Sequence, residues 1–236
     1  MKCGICPRGC AQRETGLCGV GMVPVVARAA PHFDEEPVIS GTRGSGAVFF
    51  SGCPLGCVYC QNEELSFQRA GKPVRNLRAI YERLIAQGVH NINLVTAGHF
   101  LPAVVESLRP RLPVPVVWNS GGYERVETLR ALEGAVEVYL PDLKYIHEDI
   151  AQRFSGAVDY FAAASAAVLE MARQTGPMEL DGEGIARRGT LVRHLVLPGH
   201  IRETMAVLDW MAAHLPRGTW VSLLFQYTPV CAPEDY

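Results

Sequence analysis

Three cysteines, spaced three and then two residues apart, constrain this chain more than any other feature. Cys53, Cys57 and Cys60 lie in the string CPLGCVYC, which curls a short loop around one metal cluster. A 4Fe–4S cluster normally takes four thiolates, so a loop that supplies three leaves one iron open to a ligand that is not protein. Open positions are typical of catalytic metal sites, whereas a structural zinc site, the alternative, usually closes four ligands. The loop therefore predicts a 4Fe–4S cluster that binds a cosubstrate.

Four further cysteines form a second group near the start of the chain. Cys3, Cys6, Cys10 and Cys18 lie among glycines that permit tight turns. Four thiolates suit a closed tetrahedral metal site. Their spacing favours neither zinc nor an auxiliary iron–sulfur cluster, so the identity of this second metal stays open. Cys231 stands alone, and we expect a buried, inert thiol there.

Short apolar runs alternate with amphipathic segments from Ala47 onward, which indicates an α/β fold. Six strands joined by helices favour right-handed parallel crossovers. The pattern leaves open whether the sheet closes into a partial (β/α)6 barrel or stays open and doubly wound. The predicted strands are 47–51, 91–96, 114–119, 136–140, 191–197 and 220–226, and the predicted helices are 77–87, 101–108, 125–132, 160–175 (with Asp159 as its N-cap) and 202–214.

The segment before Ala47 has little periodicity and many turn formers. We therefore expect two parts: a loop-rich, cysteine-rich metal-binding cap at 1–46 and the α/β domain at 47–236. Within the cap, Glu35 and Glu36 are expected to be solvated loop charges.

Composition excludes several classes of partner. The chain has 236 residues, with 22 basic and 24 acidic side chains and a formal net charge of −2, so no strong field favours nucleic acid or anionic lipid. It contains no run of 18 apolar residues, and its start lacks the apolar segment of a signal peptide. We expect a cytoplasmic protein with no membrane partner, in which clustered cysteines bind metal rather than form disulfides.

The CxxxCxxC loop after a first strand, with Tyr59 directly before the third cysteine, resembles the loop of the radical S-adenosylmethionine (SAM) superfamily. The Gln61–Asn62 pair after Cys60 and strings further along narrow the resemblance to the pyruvate formate-lyase activating enzyme-like branch, which includes iron–sulfur members with a cysteine-rich N-terminus. The similarity runs from Cys3 to about Pro229. It implies a partial (β/α)6 radical SAM barrel.

The resemblance also implies a set of cofactor-binding residues, most of them at strand ends: Tyr59, Asn62, Gly98, Asn119, Asp142, Lys144 and Arg193. Where the superfamily commonly carries a Gly-Gly-Glu segment, this chain reads TAGH at 96–99, so the glutamate is missing and backbone carbonyls of the turn are left to accept from the SAM amino group. Asp142 and Lys144 alternate in an extended chain and so point to one side. An ion pair at the barrel rim is the alternative role for these two.

The implied activity is reductive cleavage of SAM at the 4Fe–4S cluster, which yields methionine and a 5′-deoxyadenosyl radical for hydrogen abstraction, with no catalytic side chain beyond the cluster and SAM. The implied partners are a reductant such as flavodoxin or ferredoxin and a glycyl radical enzyme as protein substrate. Two alternatives stay open: a radical SAM enzyme that modifies a small metabolite or peptide, and a two-cluster electron-transfer protein. Resembling proteins continue beyond QYTP at 226–229, which leaves open whether the C-terminus is truncated.

Overall fold

The computed structural model describes residues 3–11 and 16–228. The strands are β1 (Val25–His32), β2 (Ser45–Phe50), β3 (Lys72–Pro73), β4 (Ile92–Val95), β5 (Val116–Ser120), β6 (Val138–Pro141), β7 (Glu179–Leu180), β8 (Ala186–Leu195) and β9 (Trp220–Leu224). The helices are α1 (Pro37–Ser40), α2 (Glu63–Ser66), α3 (Leu77–Ala86), α4 (Leu101–Ser107), α5 (Val126–Arg130), α6 (Glu148–Ser155), α7 (Tyr160–Thr175) and α8 (Ile201–His214), with a 3-10 turn at Gly98–Phe100. None of these described helices combines the length and apolar character needed to cross a membrane.

A nine-stranded, mostly parallel sheet organises the fold. Strands β2, β4, β5, β6, β8 and β9 lie side by side in chain order and run parallel, while β1 pairs antiparallel with β2. Because crossovers between parallel strands are right-handed, strands in chain order place their connecting helices on one face of the sheet. This order rules out a doubly wound arrangement. Among the described residues β9 pairs with β8 alone, so the sheet is open rather than closed.

The two faces of the sheet carry different side chains, as the two-residue period of a strand requires. Leu94 and Trp118 face the helices and belong to the largest apolar cluster, which includes buried residues of α3 and α5. On the opposite face, Val117 and Leu140 pack with Ile39 of α1. The segment that carries α1 therefore covers this second face. By the same period, four polar side chains share that face: Asn93, Asn119, Asp142 and Arg193.

All six predicted strands and all five predicted helices are present; α7 has the predicted bounds, and the other ten elements have shifted ends. The sequence analysis missed β1, because VVARAAPH does not alternate cleanly, and it also missed β3, β7, α1, α2 and α6. Strand β1 runs through the segment expected to be loop. Asp159 does occupy the N-cap position of α7, but its side chain makes no cap and instead accepts a hydrogen bond from the Tyr123 hydroxyl at 2.6 Å.

Gly52 marks the point where the chain leaves β2 and enters the cysteine loop. Its φ is +83°, and a Cβ at this position would lie 2.5 Å from the carbonyl oxygen of Cys18. Gly88 has nearly the same φ, +84°, but a Cβ there would meet nothing within 4 Å. Substitutions at Gly52 and Gly88 therefore separate the free-energy cost of a left-handed backbone from the cost of a steric clash with the cap.

We expect Gly52→Ala to destabilise the fold more than Gly88→Ala. Both substitutions carry the cost of a left-handed conformation, about 1–2 kcal/mol, but only Gly52→Ala adds a clash with backbone atoms of the cap. Free energies of unfolding from urea titration measure the difference. Equal losses would contradict the close packing of the cap against the cysteine loop.

Candidate metal and cofactor site

The cysteine loop leaves the carboxyl end of β2 and folds back on itself. The Cys60 amide donates to the Cys57 carbonyl at 3.1 Å, and the Leu55 amide donates to Cys53 Sγ at 3.4 Å. All three cysteines are free thiols, and they pack in one apolar cluster with Leu55. The predicted trio is thus brought to one neighbourhood at the end of a parallel strand, which is where α/β enzymes bind their ligands.

Burial disfavours the charged form of two of these thiols, Cys53 and Cys57. It raises the pKa of Cys53 to about 12, and the neighbouring Cys57 and Cys60 add to the effect. Burial also raises the pKa of Cys57, against the lowering effect of the Lys144 ammonium. Ionising such buried thiols requires a positive charge beside the sulfur atoms, which a bound metal provides.

The donor set therefore fits an iron–sulfur cluster in ligand type and in placement, because thiolates are the ligands that such clusters take. Within residues 3–11 and 16–228, no three or more His, Cys, Asp or Glu side chains already converge on a single metal-sized point. The thiolate chemistry of the three cysteines and their shared loop support a cluster at this site.

The four N-terminal cysteines also lie near one another. Burial raises the pKa of Cys6 to about 11, and the charges of Cys18, Cys10 and Cys3 each raise it further. The Cys3 amide donates to the Cys10 carbonyl at 2.7 Å, which closes the first part of the cap. The grouping suits a second metal site, with zinc and iron–sulfur both open. Residues 12–15 and Cys231 lie outside the described residues.

Arg8 docks the cap onto the cysteine loop. Its Nε donates to the carbonyl oxygen of Pro54 at 2.8 Å, and its Nη2 donates to the carbonyl oxygen of Ser155 at 3.3 Å. The last carbonyls of a helix, here α6, lack partners within the helix, so a cation is favourable there. On the other side, the Thr128 hydroxyl donates to the Ile5 carbonyl at 2.6 Å. The two groups of cysteines are neighbours as a result.

Four of the predicted cofactor-binding residues are linked by hydrogen bonds at the second face of the sheet. Arg193 Nε donates to Asp142 Oδ1 at 2.8 Å, and Arg193 Nη2 donates to Asn119 Oδ1 at 2.7 Å. Lys144 Nζ donates to Asp142 Oδ2 at 2.7 Å, so the predicted shared side of Asp142 and Lys144 is confirmed. Burial alone would raise the pKa of Asp142, but Arg193 and Lys144 lower it below its usual range. Burial likewise works against the charge of Lys144, but Asp142 raises the pKa of Lys144 well above its usual range.

Glu35 completes this network, and the expectation that it is a solvated loop charge is wrong. Its carboxylate accepts from Asn119 Nδ2 at 2.9 Å, from Asn93 Nδ2 at 3.3 Å and from Arg193 Nη1 at 3.2 Å. Its side chain is 10% exposed. All three nitrogens of the Arg193 guanidinium therefore donate to protein acceptors, which gives Arg193 a positioning role in the structure as it stands.

Glu36 is also buried, with an 11% exposed side chain, and burial raises its pKa against the effect of Arg193. The signal that sequence analysis overlooked lies just after the acidic pair. Ile39 is fully buried, so it draws the residues before it onto the face of the sheet. Charged residues next to a buried apolar anchor are poor candidates for solvated loop charges.

The two predicted residues near the third cysteine have different surroundings. The Tyr59 hydroxyl hydrogen-bonds the Tyr145 hydroxyl, which in turn contacts Ser155 Oγ at 2.9 Å, and Ser155 Oγ lies 2.9 Å from Cys57 Sγ. Tyr59 therefore belongs to a chain of hydrogen bonds that reaches the thiol. Asn62 is exposed at the start of α2 and makes no side-chain cap, so the structure sets it apart from the other candidates.

A cavity lies between the cap, the cysteine loop and the ends of β4 and β5. It is narrow, with about 30 Å³ of space for water-sized molecules, which is room for about one or two of them. Gly98 lines it together with Cys53, so two further predicted residues share one site. Other lining residues come from each wall: Cys6, Leu55, Gly121 and Glu124.

Glu124 is a second residue that the sequence analysis missed. Its Oε1 accepts from Trp118 Nε1 at 2.8 Å, and its Oε2 accepts from Ser120 Oγ at 3.0 Å. Burial raises the pKa of Glu124 to about 7, and these two hydrogen bonds only partly oppose the shift. The glutamate directly follows the string WNSGGY, but no motif distinguishes it from the glutamate at 127.

We expect Glu35→Gln to lower the free energy of unfolding by about 2 kcal/mol, because it removes a buried charge that accepts from Arg193 and leaves donors facing donors. Asp34→Asn, one residue earlier and exposed, should stay within about 0.5 kcal/mol of wild type. Urea unfolding at neutral pH compares the two. Similar losses would contradict the buried network.

We expect Glu124→Gln to stabilise the fold increasingly as pH rises. The pKa of Glu124 is about 7 in the folded protein and 4.5 in its ordinary state, so its contribution to stability is complete below about pH 4.5 and is lost as pH rises through about 7. Glutamine mimics the protonated carboxyl, so its advantage should grow to about 3 kcal/mol by pH 8.

Free energies of unfolding at pH 4.5 and pH 8 test this expectation, with Glu64→Gln, at an exposed position, as the control. An advantage of Glu124→Gln that does not change with pH, or one that Glu64→Gln shares, would contradict the buried environment of Glu124.

The chain is similar along its whole length to a protein of unstated activity. No family model matches the chain. The chain is 28% identical over 251 residues to Uncharacterized protein MJ0674 of Methanocaldococcus jannaschii, an alignment that covers 100% of this chain and 68% of that protein. The name of this relative states no activity, so the similarity does not indicate a function.

Proposed function

We propose that this protein is a radical SAM enzyme that holds a 4Fe–4S cluster through Cys53, Cys57 and Cys60 and cleaves SAM reductively to begin a hydrogen abstraction. One observation carries the proposal. A loop with three free thiols at the carboxyl end of a parallel strand borders the cavity at which the ends of β4 and β5 also meet. A metal with an open position at the edge of a cavity is suited to a reaction with a bound cosubstrate.

The partial (β/α)6 barrel is part of this proposal. Six parallel strands in chain order, with helices packed on one face, support it. The covered second face, with its buried charges, supplies the interior that such a barrel needs. Ligands of parallel sheets lie outside the carboxyl ends of the strands, where the cysteine loop and the cavity are found.

Cys53, Cys57 and Cys60 would hold the cluster, which when bound would supply one-electron reduction of SAM. The residues of the chain itself hold and orient SAM and shield the site from water. Lys144 lies close enough to Cys57 to lower the pKa of its thiol. Because Asp142 holds the Lys144 ammonium, this side chain offers a fixed cation for the SAM carboxylate. The Tyr59 hydrogen-bond chain holds Cys57, and the apolar cluster that contains Phe154 shields Cys57 from water.

The remaining roles follow the same proposal. The four N-terminal cysteines hold a second metal, either zinc or an iron–sulfur cluster, next to the first site. A reductant such as flavodoxin or ferredoxin delivers electrons in the cytoplasm. A glycyl radical enzyme is the proposed protein substrate, and the test below separates this from a metabolite or peptide substrate.

We expect protein reconstituted without oxygen, reduced and given SAM to form 5′-deoxyadenosine and methionine in equal amounts. SAM should also change the electron paramagnetic resonance spectrum of the reduced protein. Cys57→Ala should lose both effects, because the loop then has two thiolates left. Cys231→Ala is the matched control: it removes the one cysteine outside both groups, and both effects should persist.

Cleavage of SAM that survives in Cys57→Ala would contradict the proposal. A protein that binds iron but shows neither cleavage nor a spectral response to SAM would instead favour a two-cluster electron carrier. Deuterium transferred into 5′-deoxyadenosine from a labelled glycyl radical enzyme, rather than from a labelled peptide or metabolite, identifies the class of substrate.

A further inference from the structure

The last turn of α6 is fixed against the cysteine loop. The Gly56 amide of the loop donates to the Ser155 carbonyl at 3.0 Å, and nearby the Val58 amide donates to the Phe154 carbonyl at 2.9 Å. These loop amides satisfy carbonyls that have no partner within the helix at its C-terminal end. Arg8 of the cap donates to the same Ser155 carbonyl at 3.3 Å. Ser155 is fully buried, so its side chain has a fixed position beside the loop.

A chain of buried hydroxyl groups ends at Ser155 and reaches one of the three thiols. Ser155 Oγ lies 2.9 Å from Cys57 Sγ and 2.9 Å from the Tyr145 hydroxyl, and that hydroxyl also hydrogen-bonds the Tyr59 hydroxyl. These four residues are at most 9% exposed, so their polar atoms are shielded from bulk water. The other two thiols of the loop each have a polar contact as well, but at the longer distance of 3.4 Å.

A metal on Cys57 would fix the direction of every hydrogen bond in this chain. A cysteine that binds a metal is a thiolate and has no proton to donate, so Ser155 must donate to Sγ. Ser155 has a single hydroxyl hydrogen, so its oxygen can only accept from Tyr145. The same argument makes Tyr59 the donor to Tyr145. Three hydroxyl dipoles then point toward one sulfur atom.

This orientation favours negative charge on the Cys57 sulfur. Reduction adds one electron to an iron–sulfur cluster, and hydrogen bonds to the ligand sulfurs are among the factors that set its reduction potential. The chain lies in the apolar cluster that contains Phe154, and a low dielectric strengthens hydrogen bonds that polarise one another. A donor at Ser155 therefore stabilises the reduced cluster more than the oxidised one.

We propose that the Ser155 hydroxyl, supported by Tyr145 and Tyr59, donates to the Cys57 thiolate and shifts the one-electron equilibrium of the cluster toward its reduced form. The inference rests on the proposed function, in which these thiols hold a 4Fe–4S cluster. In this step one electron passes from the reductant to the cluster, and no bond breaks. Ser155 is thereby a positioning residue that acts through Cys57, and it increases the fraction of the protein that is ready to cleave SAM.

The test is a redox titration of the full chain, reconstituted without oxygen and measured without SAM. The electron paramagnetic resonance signal of the reduced cluster reports the equilibrium for wild type, Ser155→Ala and Tyr145→Phe. Ser165→Ala is the matched control, because the Ser165 hydroxyl contacts only the Ala162 carbonyl on the exposed side of α7. An iron count on each sample ensures that clusters are compared at equal loading.

Ser155→Ala should lower the equilibrium constant for reduction about tenfold, which corresponds to about 59 mV for one electron, because the Cys57 thiolate loses its donor. Tyr145→Phe keeps the aromatic ring and the Ser155 donor but removes the hydroxyl behind it, so the constant should fall by less. Ser165→Ala should leave the constant within about twofold of wild type.

An unchanged equilibrium in Ser155→Ala and Tyr145→Phe, or a shift toward the reduced form in either, would overturn the role of Ser155 while leaving the proposed function in place. If Ser155→Ala retains no cluster, the direction of the shift in Tyr145→Phe decides between these results. A wild-type protein that holds no cluster at this loop would instead overturn the proposed function, and this inference with it.

Discussion

The buried charge network around Arg193 is the interaction on which the arrangement of this protein depends. A guanidinium removed from water is unfavourable unless acceptors surround it, and Arg193 finds them on three separate elements: Asn119 on β5, Asp142 after β6 and Glu35 before α1. Because these partners are distant in sequence, their pairing aligns the strand ends and holds the α1 segment on the second face of the sheet. Lys144, held by Asp142, then has a fixed position.

The cysteine loop and the cap are attached to the sheet in different ways. The loop continues from β2, so its thiols lie at the level of the other strand ends, with the Lys144 charge acting on Cys57. The cap is attached through Arg8 and borders the same cavity with Cys6. A metal in the cap and a cluster in the loop would thus be neighbours across one cavity. Because Ile5 and Cys6 of the cap line the cavity, the cap has a direct influence on access to it.

Much of the frame could be predicted from sequence, because strand and helix periods are local. Helix α7 has its predicted bounds, and the alternation that places Asp142 and Lys144 on one side is a property of any extended chain. The missed features depend on distant contacts. Strand β1 exists because it pairs with β2, and Glu35 is buried because Arg193 and two asparagines receive it. Glu124 comes close to Gly98 only because two strand ends meet in the folded protein, so no spacing in the sequence indicates this contact.

If Cys53, Cys57 and Cys60 hold an iron–sulfur cluster with an open iron, as we propose, a count of bound metal will show it. Iron, acid-labile sulfide and zinc are measured on the full chain prepared without oxygen and on a variant with alanine at Cys53, Cys57 and Cys60. We expect the variant to lose about four iron and four sulfide ions per chain and to keep any metal bound by the N-terminal cysteines. A wild-type protein that carries no iron at this loop, or a variant with an unchanged iron content, would contradict it.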